Sequence, residues 1–250
     1  MRILAFDTAT WTCSVALLDG GVVLAEKCER TESSHAGTLP RMVASVLSRE
    51  GERLRPGDAV AVSIGPGSFT GLRIGLSFAK GLAFAGRLRI VGVPTLDALA
   101  LAALPWENRL CAALDARKRE VYAAIYERAA GGRIVRIAPP RALAAARLSE
   151  ELGGPCAVIG DAVEAYADVF ARSLGAGVRL LPSTRHPPRA SAIARMAAAR
   201  LAYDPEGDDL SALAPYYLRP PEAELTQTTH SPSAQSVSPA SFVDKVPLLY

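Results

Sequence analysis

The stretch RILAFDTATWTCSVALLDGGVVLA, residues 2–25, reads as three short strands in close succession. An apolar run ends at Asp7, a polar stretch follows, a second run covers 14–19, and a third follows Gly20-Gly21 at 22–25. Apolar runs of this length bounded by a Gly pair are strands, and the pair marks a hairpin. The same order returns in RLCAALDARKREVYAAIYERAAGGRIVRI, residues 109–137: a strand ending at Asp115, a polar turn, a strand at 121–126, Gly131-Gly132, and a strand at 133–137. Five elements repeated in one order point to duplication rather than chance.

Helical patterns lie between the two sets. Leu39, Met42, Val43, Val46 and Leu47 make one stripe on a helix ending near Gly51. A strand at 59–64 runs into the loop Gly65-Pro66-Gly67-Ser68-Phe69-Thr70-Gly71, and 72–85 is a strongly apolar helix. A strand at 90–93 and a helix at 95–104 close the first half. In the second half, 157–160 and 178–181 read as strands, while 163–173 and 189–203 read as helices, the latter introduced by Pro187-Pro188. Strands alternating with helices in both halves give an α/β class with mixed sheets covered by helices. The expected organisation is one lobe over 1–106, a second over 107–221, and a tail over 222–250. Beyond Glu222 the composition shifts to Ser, Thr, Pro and Gln, which buries too little apolar surface to fold alone, so the tail is expected to be disordered.

Composition narrows the function classes. A length of 250 residues buries a full core without metals or disulfides. Cys13, Cys28, Cys111 and Cys156 are scattered without a C-x-x-C pair and are expected to be reduced structural thiols. Residues 3–6 form too short an apolar run for a signal peptide, and 98–104 is too short to span a bilayer, so a cytoplasmic protein without a membrane partner is expected. With 28 Lys plus Arg against 25 Asp plus Glu, the net charge of +3 generates no strong field toward nucleic acid. The local cluster Arg117, Lys118 and Arg119 reads mainly as a solvated turn, with a phosphate contact as the sharper alternative.

Each candidate site fails a stated requirement of a known chemistry. The loop at 65–71 lacks the spacing of a dinucleotide fingerprint, the Lys of a P-loop, and the Ser position of a nucleophile elbow. It does end at a helix N-terminus, where Ser68 or Thr70 can cap free amides and an anion would be stabilised, so Gly65, Gly67, Ser68 and Thr70 form a candidate anion-binding loop. A nucleotide enzyme built on two such hairpins needs Gly in both turns for close backbone approach to phosphate, and neither 7–13 nor 115–120 contains one. Asp7 reads either as the residue that closes its own turn or as a cation ligand through water. His35, His186 and His230 have no partner at metal-ligand spacing, and none stands beside a Ser or Cys in a recognisable nucleophile pattern. No catalytic residue, metal or cofactor is therefore assigned.

Along the apolar helix, Gly71, Gly75, Ala79 and Ala83 recur every fourth residue and clear a smooth groove along which another element can approach closely. That pattern fits a wholly internal helix and a helix that meets a second subunit equally well.

These residues resemble the bacterial TsaB (YeaZ) family, partners in threonylcarbamoyladenosine modification of transfer RNA. The resemblance rests on Asp7-Thr-Ala-Thr10 with 13–17, the string from Gly65 to Leu76, 79–83, 92–99, 114–118 with 120–122, and Pro215-Tyr-Tyr-Leu-Arg219, which together span 1–221. It implies duplicated actin-like lobes of the ribonuclease H-like kind and a heterodimer with the related catalytic subunit TsaD. TsaD carries a His-x-x-x-His metal motif near the position where this chain has 93–99, and those ligands are absent here. By the same resemblance, pairing uses Leu39, Met42, Val43, Val46, Leu72, Gly75, Leu76 and Ala79. The implied role is non-catalytic: to hold TsaD in a form that transfers threonylcarbamoyl onto adenosine 37 of transfer RNAs reading ANN codons, with the ATPase TsaE as a transient visitor. Transfer RNA is expected to be met through the complex, and self-association of the free chain through the same helices stays open. The competing readings are a metallopeptidase-like glycoprotease and an actin-fold ATPase or kinase. The Ser/Thr/Pro tail has no counterpart in the resemblance.

Overall fold

The computed structural model describes residues 1–31, 34–49, 53–103, 105–106, 109–129, 133–184 and 186–219. The expected tail at 222–250, the Gly131-Gly132 turn, the helix end at Gly51 and His230 lie outside the described residues.

The first sheet contains β1 (Arg2–Asp7), β2 (Thr12–Asp19), β3 (Val22–Arg30), β4 (Ala59–Gly65) and β5 (Arg89–Pro94) in the order β3-β2-β1-β4-β5. Strands β1 to β3 form an antiparallel meander, whereas β4 and β5 join β1 in parallel. The second sheet contains β6 (Arg109–Asp115), β7 (Glu120–Arg128), β8 (Ile134–Arg136), β9 (Arg141–Ala144), β10 (Cys156–Ile159) and β11 (Val178–Leu181), ordered β11-β10-β6-β7-β8 with β9 also on β7. Here β6 and β7 are antiparallel, β7 and β8 are antiparallel, and β10 and β11 are parallel to β6. Read from the meander edge, the two sheets have the same order and the same strand directions. The five-element repeat in the sequence is therefore a repeat in three dimensions, and duplicated order of this kind is the actin-like α/β architecture.

Helices α1 (His35–Arg49) and α2 (Phe69–Gly86) cover the outer face of the first sheet, where Leu39, Met42, Val46, Leu76 and Ala79 pack with Phe6, Val15 and Val62. Ser68 caps α2 by accepting the Gly71 N–H at 3.2 Å, and Arg87 ends it in the left-handed region at φ 51°. On the inner face, α3 (Thr95–Ala102) lies against the second sheet and α7 (Ala190–Tyr203) against the first, touching each other between the sheets.

The helix expected at 163–173 breaks in two, α5 (Ala162–Ala165) and α6 (Ala167–Ser173), because Tyr166 at φ −125° interrupts the turn and sends its hydroxyl to Asp115 at 2.7 Å. β9 and the five-residue α4 (Leu148–Leu152) were not expected from the sequence; β9 exists because it pairs with the free edge of β7. α7 follows the second sheet in the chain but does not pack with it alone. Instead, Ala190, Ile193, Ala194, Ala197 and Leu201 pack on Ile3, Ala5 and Val91 of the first sheet. From there 204–219 runs back as a strap. Asp208 accepts the Gly92 N–H at 2.7 Å, the Tyr216 N–H donates to Ile64 O at 2.7 Å, and Arg219 reaches Ala116 O at 2.6 Å on the second sheet.

Lobe-to-lobe contact is reinforced by a buried polar cluster. Asp97 of α3 accepts from the Tyr126 hydroxyl at 2.7 Å and pairs with Arg136 at 3.2 Å. Burial raises the Asp97 carboxyl above its ordinary value, an effect opposed by Arg136 and by the Tyr126 hydrogen bond. Among the described residues, no helix is long and apolar enough to cross a membrane.

Candidate functional site

Both sheets bring the turn that follows their first strand to one cleft of about 910 Å³. Thr10 and Trp11 stand on one side, Arg117 and Lys118 on the other, with Ser68 and Thr70 at the N-terminus of α2 and Tyr217 and Arg219 of the strap completing the wall. Duplication places the two turns opposite each other, and the strap adds Tyr217 and Arg219 to the wall.

The turns are built alike. Asp7 Oδ1 accepts the Ala9 N–H at 2.6 Å, and Asp115 Oδ1 accepts the Arg117 N–H at 2.8 Å, so each Asp folds its own turn through its side chain. Asp7 is fully enclosed and also accepts from Ser63 at 3.0 Å. Burial raises its carboxyl above the usual value, while the Ala9 and Ser63 hydrogen bonds and nearby His35 oppose the shift. In the second turn Asp161 accepts the Asp115 N–H at 2.9 Å and is pushed up to about 6, chiefly by burial and further by the Asp115 charge. Tyr166, bonded to Asp115, is raised to about 12 by burial and that same carboxylate. Through Oδ1, Asp7 and Asp115 thus act as turn-formers, and Asp115 Oδ2 also pairs with the Arg117 guanidinium at 3.0 Å.

The loop expected to hold an anion is largely satisfied from within. Gly65 N–H donates to Thr95 Oγ1 at 3.1 Å, Ser68 N–H to Ala9 O at 2.7 Å, and the Gly71 N–H to Ser68. Gly65 sits at φ 124° with its Cα facing the Tyr216 carbonyl, and Gly67 faces Ala9, so their lack of a side chain serves close packing of the strap and the first turn. Ser68 acts as the helix cap and Thr70 is exposed at the cleft.

The eight residues expected at a partner surface are interior. Leu39, Met42, Val43, Val46, Leu72, Gly75, Leu76 and Ala79 all lie on the buried sides of α1 and α2. The small-residue groove faces the chain's own first sheet: a side chain on Gly71 would strike the Thr8 carbonyl, and one on Gly75 would strike the Thr8 hydroxyl. Close approach is thus used for helix-on-sheet packing. What α2 offers outward is Phe84, 79% exposed, and Phe69, 39% exposed, over which the Arg73 guanidinium lies at 3.8 Å.

His35, which has no metal-ligand partner in the sequence, is buried and its Nε2 meets Thr10 O at 2.8 Å, which ties α1 to the first turn. The cysteines are free. Cys13, Cys111 and Cys156 are buried and Cys28 is exposed; burial pushes Cys13 up to about 12 and Cys156 to about 11, which keeps both as thiols. The contact missed by sequence reasoning is that of Arg117 with Trp11, guanidinium to ring centroid 5.6 Å, which bridges the cleft. Only the duplication itself, by setting the two turns face to face, signals it in the sequence.

Two sheets of one topology with facing turns closed by aspartates define an actin-like α/β protein. A family model described as "TsaD: tRNA N6-adenosine threonylcarbamoyltransferase" matches residues 19–225. The chain is 46% identical to the tRNA threonylcarbamoyladenosine biosynthesis protein TsaB of Escherichia coli over 53% of this chain and 58% of that protein. That match therefore spans little more than half of the relative's length, whereas the TsaB of Bacillus subtilis, 29% identical, is matched over 90% of this chain and 96% of its own. Among solved structures, YeaZ from Pseudomonas aeruginosa superposes with a TM-score of 0.72 at 31% identity, covering 87% of this chain and 99% of that one. The chain belongs to this family and, within it, to the TsaB (YeaZ) proteins.

Proposed function

We propose that the chain is a non-catalytic subunit that pairs with a TsaD-type catalytic subunit and supports transfer of threonylcarbamoyl onto adenosine 37 of transfer RNAs reading ANN codons. The observation that carries the reading is the pair of cleft turns: each is closed by its own aspartate and filled by side chains, in a chain whose relatives are named for this modification. A turn lacking glycine blocks the backbone approach on which actin-like phosphate transfer depends. The TsaD-type subunit supplies the chemistry, a TsaE-type ATPase visits the pair, and transfer RNA is engaged in the assembled complex. The pairing surface is the outer face of α1 and α2, where Phe84 presents an apolar anchor of the kind that dominates interfaces. The same face serves self-association when the partner is missing. The lobes divide near 106, with α7 and the strap returning to the first.

Affinity capture of the tagged full chain from its native lysate tests this directly. A TsaD-type protein should co-elute in stoichiometric amount, and calorimetry on the free chain should show neither tight ATP nor tight metal binding. Micromolar ATP affinity in the free chain, or capture without a TsaD-type protein, contradicts the reading.

A further inference from the structure

The strap is fixed to the first lobe along most of its length and to the second lobe at its end. Asp208 pairs with Arg200 of α7 at 2.6 Å, the Asp208 N–H donates to Ile90 O at 2.8 Å, and Leu210, Leu213 and Tyr216 pack against the cluster that holds Phe6 and Val62. Arg219 then reaches across the cleft. Its guanidinium donates to Ala116 O at 2.6 Å, pairs with the Glu120 carboxylate at 2.9 Å and lies 5.9 Å from the Tyr122 ring centroid. All three belong to the turn after β6 or to β7.

Two residues earlier, Tyr217 sits on the N-terminal end of α2. Its ring meets Phe69 at 5.2 Å between centroids and its hydroxyl accepts the Arg73 Nε–H at 3.0 Å, with the same guanidinium over the Phe69 ring. One short segment therefore holds the outward end of α2 with one side chain and the far lobe with another. The contacts between the lobes differ in kind. Beside α3, Asp97 and Tyr126 are buried, and parting them from Arg136 would strand a charge away from water. At the cleft mouth, Arg219 and Glu120 keep 33% and 35% of their side-chain surface exposed, and an ion pair of that exposure is weak and screened by salt. The lobes are joined firmly on one side and lightly on the other, as in a hinge with a latch.

We propose that residues 217–219 latch the cleft shut. The mouth opens when Arg219 releases Ala116 and Glu120, the lobes pivot about the α3 contact, and the grip of Arg219 depends on the seat of Tyr217 on Phe69 and Arg73. An occupant of the outward end of α2 that displaces Tyr217 thereby controls access to the cleft. Both the latch and its coupling are properties of the free chain and stand apart from the partner reading. Double electron–electron resonance on the full-length chain reads the mouth, with nitroxides on Arg30→Cys and Ala171→Cys, exposed positions in opposite lobes. The exposed Cys28 is replaced by Ser, and labelled chain is diluted into unlabelled chain so that only distances within one molecule count. With the latch residues intact, one distance should dominate and a longer one should grow as salt rises, because the Arg219–Glu120 pair is screened. Arg219→Ala should raise the open-to-closed ratio roughly 10-fold, the scale of one hydrogen bond to a charged group. Arg219→Glu should open the mouth further by facing Glu120, and the exchange Arg219→Glu with Glu120→Arg should restore closure in part. Reversed charges repair a latch and leave a general packing loss unrepaired. Tyr217→Ala should open the mouth as Arg219→Ala does, and combining the two should add little, since both release one device. Melting temperatures read alongside separate opening from unfolding, and the salt series needs no latch variant to fold. A distance distribution that ignores salt and Arg219→Glu, a charge exchange that restores no closure, or a Tyr217→Ala chain as closed as wild type overturns the inference.

Discussion

Thr8 occupies the space that a side chain on Gly75 would need, and its hydroxyl is fixed there by donating to the Gly71 carbonyl at 2.8 Å. The contact joins the first turn to α2 through the sheet-facing groove of the helix. It also settles what the small-residue stripe is for. Gly71, Gly75, Ala79 and Ala83 bring the helix backbone down onto β4 and the first turn, leaving Phe69 and Phe84 outside.

Gly75→Leu is therefore a stability variant. Forcing a branched side chain against Thr8 and Val62 should cost at least the roughly 1–3 kcal/mol of an overpacked core. At roughly 2–4 °C per kcal/mol for a chain of this size, thermal unfolding should start several degrees lower. An unchanged melting temperature would show that α2 does not lie where the Thr8 contact puts it.

Phe84→Glu separates folding from pairing. The ring is the most exposed large apolar side chain on the outer face of α2, so the free chain should keep its stability within about 0.5 kcal/mol, as surface changes usually do. Burying a carboxylate in an apolar contact should abolish co-elution with the TsaD-type subunit. Normal pairing of this variant moves the interface elsewhere.

Asp161→Asn reports on the second turn through pH. The folded carboxyl is raised to about 6 from its ordinary 3.8, so the native state binds more protons than the unfolded one between those values. Wild-type stability from this group is thus greatest in acid and is lost as pH rises toward 6. Asn retains an oxygen for the Asp115 N–H but does not titrate. Relative to wild type, the variant should gain stability from pH 4 to 6 and level off above that. A difference that stays constant with pH, measured by urea midpoints, contradicts the buried-carboxyl assignment.

Tyr126→Phe tests the lobe contact. It removes the hydroxyl that donates to buried Asp97 at 2.7 Å and leaves that carboxylate with Arg136. Loss of one hydrogen bond to a buried charged group should cost about 1–3 kcal/mol in denaturant unfolding. A neutral outcome would mean that Arg136 alone satisfies Asp97.

Much of this architecture was legible in the sequence because hairpins announce themselves locally. Gly20-Gly21, the strand-ending Asp7 and Asp115, and the apolar runs beside them carry both the strand positions and the duplication. The orientation of α2 was not legible, because glycines spaced four apart clear a path equally well for a sheet or for a second helix. β9 escaped because RALA has no alternation; it is a strand only because β7 offers it an unpaired edge. The packing of α7 on the first sheet was not legible because its Ala-rich face fits any flat apolar surface, and only three-dimensional packing chooses between the two sheets. In the site, the absence of glycine from the turns was readable directly. The meeting of Arg117 with Trp11 depends on how the lobes face each other, and local pattern carries no record of that.

Reconstitution of the modification measures the central claim most directly. Purified full-length chain, a TsaD-type subunit, a TsaE-type ATPase, the threonylcarbamoyl donor and unmodified transfer RNA are combined, with each protein omitted in turn. Threonylcarbamoyladenosine should form only when this chain and the TsaD-type subunit are both present, and this chain without that subunit should yield none. Full product without this chain, or product formed by it unaided, would contradict the account.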